Sequence, residues 1–149
     1  MPVLTRSEIC QMLPHGEDMC LLDEVQWWDE SDIVCTTNSH LNKDHPLRHR
    51  DLLESICGIE YAAQAMGIHI ALTAFKHKQT SLLGLLGGLR DVTMNVSRLD
   101  LCPKLLNIQA TCVMNTGANF MYTFHITTEE TSVLSGRASI FVQRPQDQV

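Results

Sequence analysis

The stretch that most constrains this chain runs from Leu52 to Phe75, LLESICGIEYAAQAMGIHIALTAF. It contains no strong helix breaker, and Ile56, Ile59, Ala63, Met66, Gly67 and Ile70 recur at helical spacing. A helix that is apolar almost all the way round is normally wrapped on every side by its domain. The other residues must therefore supply a cover. One position does not fit this pattern. Glu60 lies one turn from Ile56 and one turn from Ala63, on the same apolar face. A buried carboxylate is costly unless it is paired or protonated.

The cover is legible on both sides of the helix. Ser7 reads as the cap of a short helix over 7–12 that ends before Pro14, and Pro14-His15-Gly16 reads as a turn. Met19–Trp28 and Asp32–Ser39 read as two strands joined through Asp29, Glu30 and Ser31. His40–Asp51 is a polar loop with three histidines. Lys76–Thr80 leaves the helix with positive charge, which suits its C-terminal dipole. Strand-like runs follow at Ser81–Leu89, Asp91–Leu99, Leu105–Asn115, Asn119–Thr128 and Val133–Gln143. The glycines of SLLGLLGGL point to close backbone approach or a bulge.

There is no repeat or linker, and 149 residues suit one domain. Two strands, one long helix and then three or four strands predict an α+β domain. Its central helix, about 52–75, is wrapped by a curved antiparallel sheet of five to six strands, the later ones spanning about 81–143. Such a sheet leaves an edge strand that a dimer can cover.

Composition narrows the function classes. The net charge is 11 − 17 = −6, which argues against a nucleic-acid binder. Aromatic residues, at 5%, are too sparse for single-strand stacking platforms. No apolar run reaches the roughly 18 residues of a membrane span, because Glu60, Gln64 and His69 interrupt the best one. The N-terminus lacks a signal-peptide layout, so a cytoplasmic location is expected. None of the six cysteines forms a CxxC pair, and they read as reduced, buried hydrophobes. Cys57, one turn before Glu60, is the only one placed to act as a nucleophile. The spacing of His40, His45 and His49 invites a metal, but no carboxylate or cysteine completes a ligand pattern, so none is expected.

Several stretches resemble a known family. LPHGEDMCLLDEV (Leu13–Val25), GIEYAAQAMGIH (Gly58–His69) and GRASIFV (Gly136–Val142) are similar to motifs of the hot-dog-fold 3-hydroxyacyl-[acyl-carrier-protein] dehydratases. With HPLR (His45–Arg48), they most resemble a divergent branch, the dehydratase-like proteins of aryl polyene gene clusters. The resemblance implies a helix wrapped by a sheet, in a dimer with acyl tunnels at its interface. It implies a carrier-protein partner, with the substrate presented on a phosphopantetheine arm and no other cofactor. It also implies loss of water from a 3-hydroxyacyl thioester to give the trans-2-enoyl product.

That reaction needs a base for the proton alpha to the thioester and an acid for the leaving hydroxyl. A histidine near neutral pKa suits the first role. A carboxyl group enclosed by apolar walls suits the second. Glu60 is the expected acid, with a structural pairing to an arginine such as Arg90 as the bland alternative. The histidine is less settled, because the family's GHFPG motif is absent. His45 is the first candidate, and His49 and His40 are the alternates.

Leu53, Cys57, Gly58 and Gln64 are the expected substrate contacts. Glu54-Ser55 replaces the family's Pro-Gly pair, which puts the backbone oxyanion donor in question. His15 is expected to be structural, and His69 to pack or to line the tunnel. Arg48, Arg50, Arg90, Arg98 and Lys104 would form a basic rim for an acidic carrier. Three readings remain open: the dehydratase, a non-catalytic hot-dog subunit that binds acyl chains or stabilises a partner dehydratase, and an acyl thioesterase, in a homodimer or a heterodimer with another hot-dog subunit.

Overall fold

The computed structural model describes residues 3–13, 16–78, 83–129 and 131–143. A short helix α1 (Arg6–Met12) precedes strands β1 (Glu24–Trp28) and β2 (Asp32–Thr37). The long helix α2 spans Gly58–Lys76. Four strands follow: β3 (Leu83–Met94), β4 (Leu106–Asn115), β5 (Asn119–Thr128) and β6 (Thr131–Gln143). All six strands join one sheet in the order β1-β2-β4-β5-β6-β3, and every pairing is antiparallel.

Alternation decides which face of the sheet meets the helix. Phe120, Tyr122, Phe124 and Ile126 of β5 are buried, as are Leu106, Ile108 and Ala110 of β4. They form one core with Tyr61, Ala62, Ala65, Met66 and Ile68 of α2. One long helix against one six-stranded antiparallel sheet is the hot-dog fold.

Local boundaries differ from the sequence-based reading where tertiary hydrogen bonds compete with propensity. The helix does not start at Leu52. The Leu53 amide donates to Asp100 Oδ1 (3.1 Å), and the Leu53 carbonyl accepts from Leu99 (2.8 Å). These bonds keep 52–54 extended, and a 3-10 turn at Ser55–Cys57 leads into α2. Likewise α1 is capped by Thr5, whose amide donates to Glu8 Oε1 (3.1 Å), and not by Ser7. A 3-10 turn occupies Glu17–Met19, so β1 begins only at Glu24.

The two runs expected at 81–89 and 91–99 meet in one strand, β3, which covers 83–94 of them, while 95–99 lies beyond it and 81–82 lies outside the described residues. The strand passes the charged pair Arg90-Asp91 through a register shift, with Asp91 left-handed at φ 55°. Among the described residues β3 pairs only with β6, which leaves its other edge open, and Leu85, Leu86, Leu89 and Met94 on it are exposed. No described helix is long and apolar enough to cross a membrane.

Candidate active site

The helix is wrapped on one side only. Ile56 is 48% exposed, and Ile59, Glu60, Ala63, Gly67 and Ala71 are partly exposed. Their spacing places them on one stripe, because residues three and four apart lie above one another. The sheet seals the opposite face and stops at β3, so this stripe keeps an opening along its length. Glu60 sits in the first turn of α2. Among the described residues no hydrogen bond or ion pair engages its carboxylate. Arg90 lies on the exposed edge strand and does not pair with it.

The three loop histidines separate clearly. His40 is fully buried, and its Nε2 donates to the Cys102 carbonyl (2.8 Å). Burial pushes its pKa down. His45 is 6% exposed. The Leu47 amide donates to its Nδ1 (3.0 Å), so that nitrogen carries no proton in the neutral ring. Nε2–H then donates to Tyr61 Oη (2.8 Å). Tyr61 in turn donates to Ser39 Oγ (2.8 Å), and Ser39 to the Leu21 carbonyl (2.6 Å). Burial, aided by the charges of Arg48 and His40, pushes the His45 pKa down to about 4. A histidine in this state offers no free lone pair, which counts against the expectation that it serves as the base.

His49 differs from both. It opens a two-residue turn in which His49 and Leu52 exchange backbone hydrogen bonds (2.8 and 3.0 Å). Arg50 and Asp51 between them are left-handed, at φ 53° and 63°. The imidazole is exposed, and no side-chain hydrogen bond holds it among the described residues.

The expected substrate contacts divide in a similar way. Leu53 is fully buried in the core. Gly58 is buried against β6, where an added Cβ would lie 2.7 Å from Leu134 Cδ2. Gln64 is an anchor: its Oε1 accepts from the Leu21 amide (2.9 Å) and its Nε2 donates to the Met19 carbonyl (2.7 Å). All three therefore face the interior of the domain and not the open stripe. Cys57 is half-buried, with its thiol toward the Leu47 carbonyl (3.9 Å). Burial raises its pKa, the opposite of what a thiolate nucleophile needs.

At the far end of α2, His69 is buried and engaged on both nitrogens. Nδ1 accepts from Tyr122 Oη (2.7 Å) and Nε2 donates to the Asp29 carbonyl (2.8 Å). It borders a cavity of about 110 Å³ with Ile70, Thr73 and Phe120. His15 lies outside the described residues. Arg48 and Arg98 turn toward Asp100 and do not form a free rim. Among the described residues no group of three His, Cys, Asp or Glu could hold a metal.

The reading from sequence missed Tyr61 and Ser39. The available signal was a tyrosine in the apolar run, because a buried phenol has to find a partner.

Comparisons with known proteins agree with this architecture. A family model described as ApeP-like, ApeP dehydratase, matches residues 7–149. No curated protein matches the chain. Among solved structures, the dehydratase heterocomplex ApeI:P from Xenorhabdus doucetiae superposes with a TM-score of 0.82 at 22% identity, covering 99% of this chain and 94% of that one. A thioesterase from Haemophilus influenzae gives a TM-score of 0.67 at 12% identity, covering 95% and 92%. A hypothetical thioesterase from Streptococcus pneumoniae, solved with coenzyme A, gives 0.54 at 19% identity, covering 80% and 84%.

Proposed function

The chain belongs to the ApeP-like dehydratase family, and from that premise we propose that it helps remove water from a 3-hydroxyacyl thioester carried on acyl carrier protein. The observation that carries this reading is Glu60. It is the one carboxylate on the open stripe of α2, and it has no partner among the described residues of its own chain. A histidine on the loop of a neighbouring hot-dog subunit removes the proton alpha to the thioester. The Glu60 carboxyl protonates the departing hydroxyl, and water and the trans-2-enoyl thioester are released. The open edge of β3, with its exposed leucines, supplies a surface where such a subunit can pair. In a second copy of this chain the histidine is His49, because His40 and His45 are engaged within their own fold.

The same engagement favours a second reading. With two of its three loop histidines committed internally, the chain pairs with a different hot-dog subunit that supplies the histidine. The Xenorhabdus doucetiae complex is a dehydratase heterocomplex, which supports this arrangement. The coenzyme A bound to the Streptococcus pneumoniae protein supports a site for a pantetheine-linked thioester.

Mass spectrometry of a 3-hydroxyacyl carrier protein incubated with the purified chain tests both readings. Loss of about 18 Da, the mass of one water, with the chain alone supports the homomeric site. Loss only when a second dehydratase subunit is added supports the heteromeric one. Loss of the whole acyl group makes the protein a thioesterase and overturns the proposal.

A further inference from the structure

We infer that Arg48 is a positioning residue for this site, one that acts through the turn carrying His49. The inference rests on the reading of His49 above. The loop from His40 to Glu54 has almost no regular structure, so its backbone carbonyls need partners from elsewhere. Arg48 supplies three. Its Nε donates to the Asn42 carbonyl (2.7 Å), Nη1 to the Asp51 carbonyl (2.9 Å) and Nη2 to the His40 carbonyl (3.3 Å). One guanidinium therefore ties the two ends of the loop together.

Asp100 holds that guanidinium from behind, at 3.8 Å, with both side chains largely buried. Asp100 also takes Arg98 Nε (3.1 Å) and the Leu53 amide (3.1 Å), so it joins the loop to the start of the helix unit. Arg98, its closest partner, holds its carboxyl at about 2, so it is charged at neutral pH.

The turn itself needs outside support. Left-handed backbone is disfavoured for any residue with a Cβ, and here two such residues, Arg50 and Asp51, stand in succession. The bond from Arg48 to the Asp51 carbonyl fixes the second of them. Without it the turn relaxes toward right-handed backbone, and His49, its first residue, changes direction. Lysine cannot replace Arg48, because a single ammonium does not match three carbonyls in a fork.

Arg48→Lys tests this, with Asp100→Asn as a second variant that loosens the same guanidinium from the other side. Three signals are read by NMR and kinetics. In both variants the strong amide–Hα contact within left-handed Arg50 and Asp51 is expected to weaken, and the His49 imidazole resonances to move. With carrier-bound substrate, kcat is expected to fall about 10- to 100-fold while KM stays nearly constant, as for a misplaced catalytic group. A merely structural role would lower the melting temperature and leave the turn signals and kcat in place, which would overturn the inference. Loss of the turn with full turnover would also overturn it. A wild-type protein without turnover, alone or with a partner, would sink the proposed reaction instead, and the NMR signals would still decide what Arg48 holds.

Discussion

The two faces of α2 carry polar residues of opposite kinds. On the sealed face, Gln64, His69 and Tyr61 are buried, and each has its hydrogen bonds made by groups far away in sequence. On the open face, Glu60 is partly exposed, and no described residue of its own chain engages it. Buried polar groups persist only when their partners are in place, so the sealed set is architecture. A carboxylate on an apolar stripe with no such partner contributes nothing of that sort, and in the proposed reaction it meets the substrate instead.

The contrast can be broken on the sealed face first. Gln64→Ala leaves the Leu21 amide and the Met19 carbonyl without partners, which should cost about 2–4 kcal/mol in urea unfolding. A cost near zero would mean that Gln64 does not anchor the segment before β1.

Acid should act next. His45 takes up a proton near pH 4 when folded and near 6.5 when unfolded. Between those values the unfolded chain binds more protons. Stability is therefore full above about pH 6.5, falls as pH drops toward 4 and then levels off, with about 3 kcal/mol lost in all. His40 and His69 are shifted in the same direction and deepen the loss. Unfolding curves at pH 7, 5.5 and 4 measure it, and His45→Asn should flatten the slope. Tyr61→Phe is the mildest of the three. It removes the link between His45 and Ser39 and should cost about 1–2 kcal/mol with kcat little changed.

Much of the fold could be read from the chain because periodicity carries it. The apolar run marked α2, and alternation in NFMYTFHITT marked β5. The helix start could not be read, since it depends on Asp100, 47 residues beyond Leu53. Glu60 could be found as an anomaly in an apolar stripe. Its openness could not, because which side the sheet leaves bare depends on where β3 ends the sheet. The difference among the histidines was hidden for a smaller reason. One backbone amide, that of Leu47 just after Pro46, reaches Nδ1 of His45 and occupies its lone pair. No spacing rule contains that contact. The polar core of Ser39, Tyr61 and His45 is likewise assembled from three separate elements.

The most direct test of the account is Glu60→Gln, read for turnover and for thermal stability on one preparation, with a partner subunit present if the wild type requires one. Because no described residue of its own chain engages the open-face carboxylate, the melting temperature should stay within about 1–2 °C of the wild type. Dehydration of the carrier-bound 3-hydroxyacyl chain should fall by about 10²- to 10⁴-fold. Full turnover, or a marked loss of stability, would place Glu60 with the architecture of the sealed face and contradict the account.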